Sequence, residues 1–567
     1  MLCFARAIRP VKSILPLGLS PILAEDNPAG YTDYLYLEAG EQNHSLPIFT
    51  SEEGSMAAFE GVLINRDDLI KRYAMPDQVA LLRLAAVRPS IVTEFYGQFR
   101  AVFSHNGLYR FYVNQIRSLQ LYYYQSADLV IVASSLKLIA GILAKAGRPA
   151  SPDPVGLRVL LSFGYMLEDY TSLCEVKALK AGEMLELDGF GLSRKAYHRF
   201  NNEIIHRDEN KALKELDSLF RRAVKLDFNY DLSLGRQHLA FLSGGLDSRM
   251  GLYTAVKEGF KDIQCLNFSQ RGYADQTIAE RICKEQGCAL HFKALDGGDY
   301  LLRLEDNASY NDAQIILHGS AHLYQAIREQ DLERFGILHS GQIGDLILGS
   351  FLDHAAHSPV DPVATAFSHL NTAAISLELR ALGADYPNQE LFALYNRGFN
   401  SASNGDYACA EYNYANSPFL EPAFAQFGLN IDPALRVNNR LYRRWYMDYY
   451  PQAAAIIREK TMLPVSASPA LARLVSYYER ASRRLGKLLG KTGYSMNPFE
   501  LWWHSNPSLR AHFEPRFRLS EELEVLLDRE LAEQIRGIYK SGSFTDKLQA
   551  YTLCYGLQRL SGQAYSI

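Results

Sequence analysis

The sequence predicts an α/β protein with a β-rich amino-terminal part, a parallel α/β sheet and a mostly helical carboxyl-terminal region. Short apolar and aromatic runs separated by turn residues occupy the chain to about residue 200, which is typical of strands. From residue 211 onward, short apolar runs alternate with stretches of helical periodicity, and this alternation favours a parallel sheet. Helical periodicity predominates from about residue 355. We therefore expect one domain at residues 1–200 and a second at 211–567.

The amino-terminal strands are indicated by apolar and aromatic runs that are bounded by turn signals. His105-Asn106-Gly107, for example, is a hairpin signal. One helix is expected between Asp77 and Ala86. The expected strands include residues 35–37, 61–64, 99–103, 121–124 and 129–132.

The second part begins with helical periodicity and continues as alternating strands and helices. Helices are predicted at 214–224, 248–258 and 277–286. Buried strands are predicted at 238–242, 263–268, 289–292 and 336–340. Ligands bind at the carboxyl ends of strands in open α/β sheets, so the loop after the first of these strands is where a site is expected.

Composition and charge exclude several classes of function. The 567 residues are 48% hydrophobic and 22% charged, as in ordinary globular proteins. The net charge of −4 gives no support to nucleic-acid binding, and no apolar run is long enough to cross a bilayer. Seven cysteines are too few for a disulfide scaffold in so long a chain. The basic, apolar start resembles a secretory signal only faintly because Pro16 and Pro21 interrupt it, so we expect a cytoplasmic protein.

The loop Ser243-Gly244-Gly245-Leu246-Asp247-Ser248 lies between the first predicted strand of the sheet and a predicted helix. Two adjacent glycines let backbone N–H groups turn inward, and the helix adds its positive end, so the loop suits an anion. Asp247 would repel phosphate unless it holds Mg²⁺, which bridges to phosphate oxygens. The loop has the glycine spacing of neither a Walker A loop nor a Rossmann fingerprint. The alternative interpretation is a tight turn with a capping serine or aspartate.

This string resembles the PP-loop of the ATP pyrophosphatase superfamily, specifically that of the asparagine synthetase family. The segment 340–345 is similar to the family's second metal-binding turn, 417–421 to a packing motif, and 458–460 to the segment that delivers a lysine to the reacting phosphate. Weaker similarities to the family's glutaminase domain lie at 60–65, 97–99, 133–137 and 180–182. The resemblance covers nearly the whole chain. It implies an Ntn-hydrolase-like β-sandwich domain followed by a PP-loop synthetase domain.

The resemblance implies a carbon–nitrogen ligase that uses ATP and Mg²⁺. A substrate carboxylate attacks the α-phosphorus of ATP and releases pyrophosphate, and an amine then displaces AMP from the acyl-adenylate. The implied catalytic residues are Asp247 and Asp345, which would bind Mg²⁺, and Lys460, which would neutralise charge on the α-phosphate. The other residues implied to contact ATP are Ser243, Gly244, Gly245, Leu246, Ser248, Leu266, Asn267 and Gly341.

Two departures from the family pattern concern the amine. Family glutaminases use a cysteine that follows the initiator methionine, whereas this sequence begins Met1-Leu2-Cys3 and has Glu60-Gly61-Val62 where the family has Asn-Gly-Glu. We therefore expect glutaminase activity to be weak or absent. Gln342 stands where the family has a glutamate or tyrosine, and glutamine cannot take a proton from the amine. The amine would come from free ammonia, a separate donor or the substrate itself.

Three functions remain open from the sequence. The leading hypothesis is a ligase that forms an amide on a small-molecule or peptide carboxylate. The first alternative is an intramolecular lactam or macrolactam synthetase, similar to β-lactam synthetases and lasso-peptide cyclases. The second is a non-catalytic ATP-binding scaffold, which Cys3 and Gln342 favour and which Asp247, Asp345 and Lys460 oppose. No nucleic-acid partner or membrane span is expected, and a homodimer or a partner protein that supplies the substrate stays open.

Overall fold

The computed structural model describes residues 1–8, 21–27, 30–38, 46–52, 54–367, 372–459, 461–467, 475 and 495–561. Its amino-terminal part forms two six-stranded antiparallel sheets. Their strands are β1 (Leu2–Ala7), β2 (Leu23–Asn27), β3 (Tyr31–Leu37), β4 (Ile48–Glu52), β5 (Ser55–Leu63), β6 (Gly97–His105), β7 (Leu108–Val113), β8 (Tyr122–Gln125), β9 (Leu129–Ala133), β10 (Lys177–Ala178), β11 (Glu183–Asp188) and β12 (Gly191–Ala196).

The two sheets stack face to face, and helices cover their outer faces. The strand orders are β10-β8-β9-β1-β3-β2 and β12-β11-β7-β6-β5-β4. Phe4 of the first sheet and Phe111 of the second share the apolar layer between the sheets. The covering helices are α1 (Arg66–Arg72) and α2 (Gln78–Val87) on the second sheet and α3 (Leu136–Lys145) on the first, followed by α4 (Pro154–Phe163). Because β1 is covered on both faces, all six of its residues are buried.

A five-stranded parallel sheet follows, in the order β15-β14-β13-β16-β17. Its strands are β13 (Gln237–Phe241), β14 (Gln264–Ser269), β15 (Ala289–Ala294), β16 (Phe335–His339) and β17 (Ala415–Asn416), and its helices are α5 (Glu209–Ser233), α6 (Asp247–Lys257) and α7 (Ala274–Gln286). β13 lies at the centre, with β14 on one side and β16 on the other. The loops that leave these three strands therefore meet at one edge of the sheet.

A buried aspartate fastens helix α5 to the sheet. Asp231 Oδ2 accepts hydrogen bonds from His238 Nδ1 and His339 Nε2, each at 2.7 Å, and its Oδ1 accepts one from the N–H of Ile337 at 2.8 Å. Two of these three donors lie on β16 and one on β13. The histidines and the backbone N–H lower the pKa of Asp231 even though its burial opposes this, so the carboxylate stays ionised inside the fold.

Helices make up most of the remaining described chain. The α-helices are α8 (Ala308–Asn311), α9 (Ala321–Ile327), α10 (Gly344–Ile347), α11 (Ser376–Ala384), α12 (Gln389–Ala393), α13 (Asn404–Ala410), α14 (Pro422–Leu429), α15 (Pro433–Arg436), α16 (Arg440–Tyr449), α17 (Pro451–Ala454), α18 (Phe499–Ser505), α19 (Pro507–Phe513), α20 (Glu521–Leu526), α21 (Arg529–Ser541) and α22 (Phe544–Ser561). A π-helix spans Leu394–Ala402. Short 3₁₀ segments are Pro89–Glu94, Leu317–Gly319, Pro362–Thr365, Thr372–Ile375 and Pro418–Leu420. Two further 3₁₀ spans are interrupted by non-helical residues: Asp296–Asn307 at Gly297, Gly298 and Arg303, and Val437–Asn439 at Asn438.

The predicted fold class is confirmed: a β-sandwich part, a parallel α/β sheet and a helical carboxyl-terminal region. The four strands predicted for the parallel sheet all form, with ends that differ from the prediction by at most two residues. Helices α6 and α7 form with ends within three residues of the prediction, and α5 extends well beyond the predicted 214–224 in both directions. The short strand β17 was not predicted, because two residues carry no periodicity. None of the described helices combines the length and the apolar character that crossing a membrane requires.

Candidate active site

A cavity of about 510 Å³ opens where β13, β14 and β16 end. All ten described residues that the sequence predicted for the site line it, from the loop 243–248, from Leu266 and Asn267, and from Gly341 and Asp345. Lys460, the eleventh, lies outside the described residues. The sheet topology thus brings together three segments that are about 20 to 70 residues apart in sequence.

The loop 243–248 is held by hydrogen bonds within the protein. The N–H of Ser243 donates to Ser248 Oγ at 3.0 Å, and the N–H of Gly245 donates to Ser243 Oγ at 3.2 Å. The N–H of Gly244 donates to Asp275 Oδ1 at 2.6 Å. Among the described residues, no side chain caps the first turn of helix α6, which begins directly after Leu246. An anion in this cavity would therefore meet the helix terminus and the two serine hydroxyls.

The two predicted metal ligands meet at one edge of this cavity. The backbone N–H of Asp345 donates to Asp247 Oδ2 at 3.1 Å, and Tyr442 Oη donates to Asp247 Oδ1 at 2.7 Å. Gly341 makes this approach possible, because a Cβ there would lie 2.3 Å from the backbone nitrogen of Ser248. Carboxylate oxygens are the donors that Mg²⁺ prefers, so the residues present fit that ion.

The end of β14 forms a surface suited to a purine. Leu266 and Phe268 line the cavity on either side of Asn267. Asn267 Nδ2 donates to the carbonyl of Leu242 at 2.7 Å, which fixes the amide. Its Oδ1 is buried and has no hydrogen-bond partner in the described part of the chain. An exocyclic amino group such as that of adenine would satisfy this oxygen.

Arg249 connects the loop 243–248 to the segment that precedes Lys460. Its guanidinium is fully buried and donates to four backbone carbonyls: Gly244 at 3.1 Å, Ala453 at 3.2 Å, Ile456 at 3.0 Å and Ile457 at 2.8 Å. Burial lowers its pKa. This arginine was not predicted from the sequence, because a charged residue on a predicted helix gives no sign of burial.

Three further charged residues near the loop were missed or left undecided. Arg458 lines the cavity, burial lowers its pKa, and its buried Nε has no partner among the described residues. Glu459 donates its N–H to the carbonyl of Gly244 at 3.2 Å and accepts from Tyr273 Oη. Asp275 accepts a hydrogen bond from the N–H of Gly244, and burial raises its pKa to about 6. The cavity thus combines cations and carboxyl groups in the way a site for a metal-bound polyphosphate requires.

Gln342 stands between this cavity and a second one of about 250 Å³, here called the second chamber. His322, Leu323 and Gln342 line both cavities, so the two are neighbours. With its amide oriented to satisfy both of its polar atoms, Gln342 donates to the carbonyl of Ala402 and to Asp406 Oδ1, each at 3.2 Å. Asp406 is completely buried, and this raises its pKa to about 8. Asp406 was not predicted from the sequence, because it lies in no motif.

In the amino-terminal part, Cys3 is buried among apolar side chains and Glu60 is held in an ion pair. The Cys3 thiol packs in the apolar cluster beneath helix α3, and burial raises its pKa to about 12. Glu60 forms a partly buried ion pair with Arg100, with Nε 2.9 Å from Oε2. A thiol with so high a pKa is not a ready nucleophile at neutral pH.

No protein-family model matches the chain, and no curated protein matches its sequence. Among solved structures, glutamine PRPP amidotransferase from B. subtilis, complexed with ADP and GMP, is 11% identical with a TM-score of 0.21, over 54% of this chain and 80% of that one. NMN synthetase from Francisella tularensis is 12% identical with a TM-score of 0.17, over 41% of this chain and 96% of that one. NAD+ synthetase from Burkholderia pseudomallei is 13% identical with a TM-score of 0.18, over 50% of this chain and 100% of that one. These values do not assign the chain to a family.

Proposed function

We propose that this chain is an ATP-dependent amide-forming ligase of the asparagine synthetase type, which activates a carboxylate as an acyl-adenylate. The observation that carries the proposal is the contact of Asp345 with Asp247, at the edge of a cavity that the loop 243–248 also lines. An anion-binding loop, two carboxylates and a purine-sized apolar surface at the ends of adjacent parallel strands together suit ATP with Mg²⁺.

The chemistry needs two displacements and little covalent participation by the protein. A carboxylate oxygen attacks the α-phosphorus and pyrophosphate leaves; an amine nitrogen then attacks the acyl carbon and AMP leaves. Asp247 and Asp345 would hold Mg²⁺, which neutralises developing charge on the phosphates. The first turn of α6 and Arg458 would bind the pyrophosphate, and Lys460 is proposed for the α-phosphate as the family resemblance implies.

The amine is proposed to come from outside the amino-terminal part. The buried thiol of Cys3 supports weak or absent glutaminase activity. Gln342 lines the cavity as a hydrogen-bonded amide and has no ionisable group that could take the proton. We therefore expect ammonium, or the amine of another small molecule, to support amide formation. Glutamine at the same concentration should release no glutamate in step with AMP.

The test is isotope exchange between pyrophosphate and ATP in the presence of Mg²⁺ and a panel of acids. We expect exchange that depends on one class of acid, with AMP formed when ammonium is added. Asp247→Asn keeps an acceptor for Tyr442 but loses the charge, and should reduce exchange on the order of 100-fold or more. Asp331→Asn, a change at an exposed aspartate, is the matched control and should exchange at the wild-type rate.

Two results would contradict the proposal. Release of ADP and phosphate in place of AMP and pyrophosphate would place the chain among ligases that make acyl-phosphates. The non-catalytic scaffold would be supported if the protein binds ATP but catalyses no exchange with any acid, and if Asp247→Asn leaves the affinity for ATP unchanged. Thermal unfolding of both variants must match the wild type before either result is interpreted.

A further inference from the structure

Three of the seven cysteines come together beneath helix α7. Cys265 lies on β14 and is fully buried, Cys283 is buried on α7, and Cys288 follows the helix and is half-buried. Cys265 and Cys283 belong to one apolar cluster, and Cys288 packs against it. All three are free thiols, and none of them lines the cavity of the candidate active site.

The turn after α7 sets the position of Cys288. Gly287 ends the helix in the left-handed region, with a φ of 69°, and its N–H donates to the carbonyl of Cys283. The N–H of Cys288 donates to the same carbonyl at 2.9 Å, which holds this residue against the last turn of α7. The chain then enters β15, which pairs with β14 in parallel and places Leu290 opposite Cys265. The backbone therefore holds Cys288 next to both the helix and the strand.

The thiols of Cys265 and Cys288 differ in reactivity. Hydrogen bonds with the thiols of Cys283 and Cys288 raise the pKa of Cys265 well above its ordinary value, and burial adds to this. The hydrogen bond from Cys265 lowers the pKa of Cys288, although burial opposes the change. Oxidants react with thiolates that have a lowered pKa and access to solvent, often beside a second thiol that closes a disulfide. Cys288 has the first two properties, and Cys265 is placed as the second thiol.

We infer that a hydroperoxide oxidises Cys288 and that Cys265 then closes a reversible disulfide with it. The thiolate sulfur of Cys288 attacks a peroxide oxygen, the O–O bond breaks, and water or an alcohol leaves, so that Cys288 becomes a sulfenic acid. The sulfur of Cys265 then attacks the sulfur of Cys288 and the S–O bond breaks. The departing hydroxide takes the proton of the Cys265 thiol and leaves as water.

In sum, two thiols and one hydroperoxide give one disulfide, one water and one water or alcohol. The bond would tie β14 to the end of α7. β14 continues into Leu266 and Asn267, which line the candidate active site, but the disulfide does not depend on the proposed function. A dithiol such as dithiothreitol would restore both thiols by exchange.

Peptide mapping of the full chain tests the disulfide, because trypsin places the three cysteines on separate peptides. Cleavage after lysine and arginine gives residues 262–271, 282–284 and 285–293, each with one cysteine. The reduced, folded protein is treated with hydrogen peroxide, and its remaining thiols are alkylated after denaturation. We expect 262–271 to be linked to 285–293 and two of the seven thiols to be lost. Dithiothreitol should remove the link.

Four variants separate the roles of the cysteines. Cys288→Ser should form no link and leave Cys265 reduced. Cys265→Ala removes the second thiol, so the sulfenic acid of Cys288 should accumulate and be labelled by a 1,3-diketone on peptide 285–293. Cys283→Ala should still form the link. Cys174→Ser is the control at an exposed cysteine outside this cluster and should behave as the wild type.

The wild type alone can overturn the inference, whether or not each variant folds. Cys174 is an internal reference, because it is exposed and its pKa is raised by burial of its sulfur. Absence of the link when Cys174 has been fully oxidised would overturn the inference. So would a link between 262–271 and 282–284 in place of the expected one, or a yield of the expected link no greater than in protein oxidised after unfolding in urea.

Discussion

The close approach of Gly341 to the start of helix α6 leads to a quantitative prediction. A Cβ at residue 341 would lie 2.3 Å from the nitrogen of Ser248, 2.5 Å from the carbonyl carbon of Asp247 and 2.8 Å from the Cα of Ser248. All three are backbone atoms, so no side chain can turn aside to make room. In Gly341→Ala the loop and the turn must separate until these atoms are at least 3.0 Å apart, a displacement of about 0.7 Å.

This displacement acts on both stability and chemistry. Overpacking of a rigid interior costs about 1–3 kcal/mol, and we expect the upper half of that range because backbone must move. Misplacing reacting groups by about 1 Å can cost on the order of 100-fold in rate. Asp247 and Asp345 would be pushed apart, so pyrophosphate exchange should fall by about that factor. Chemical denaturation gives the first quantity, and exchange kinetics give the second.

Gly251→Ala is the matched control on the same helix. A Cβ there meets nothing within 4 Å, and alanine has about 0.8–1 kcal/mol more helix propensity than glycine. It should leave exchange unchanged and stability equal or higher. The reasoning is refuted if Gly341→Ala has wild-type stability and exchange, or if the two variants behave alike.

Three other substitutions probe buried ionisable side chains. Arg249→Met leaves four carbonyls without their donor, so we expect a loss of at least about 2 kcal/mol in denaturation and a higher KM for ATP. Asp231→Asn removes the charged acceptor shared by His238 and His339 and should cost about 2–3 kcal/mol, measured in the same way. In the folded protein the pKa of Asp406 is raised to about 8, so its carboxyl group keeps a proton that the unfolded chain releases at about pH 4. The stability contributed by that proton is therefore complete below about pH 4 and is lost as the pH rises toward about 8. The free energy of unfolding of Asp406→Asn, relative to that of the wild type, should rise between pH 5 and pH 8.5. A difference between the two proteins that does not change with pH would contradict the raised pKa of Asp406.

Much of the fold follows from local pattern. The strand at Gln237–Phe241 and the helix at Asp247–Lys257 differ by one residue at each end from the sequence prediction, because both have clear periodicity and a glycine-rich loop between them. Helix α3 was not predicted, although its amphipathic pattern is readable. β17 could not be predicted, since its two residues form a strand only by pairing with β16.

The candidate site divides in a similar way. The loop 243–248, Asp345 and the end of β14 were found because they carry motifs or follow predicted strands. Arg249, Asp406 and Arg397 were not found, since each is a polar residue in a helical segment and is distinguished only by what surrounds it. Lys460 stays a prediction, because no described contact involves it.

The sequence alone predicted the alternation of the four longer strands of the parallel sheet with helices. Anion binding by the loop 243–248 and Mg²⁺ binding by Asp247 and Asp345 stay predictions made from it. These depend on residue type and short spacing, which backbone geometry converts directly into local structure. Only the tertiary structure decided that Cys3 is buried, that Arg397 stacks on Phe367 and lines the second chamber, and that Gln342 lines both cavities. Those properties depend on packing between distant segments, and burial has no signature in the order of residues.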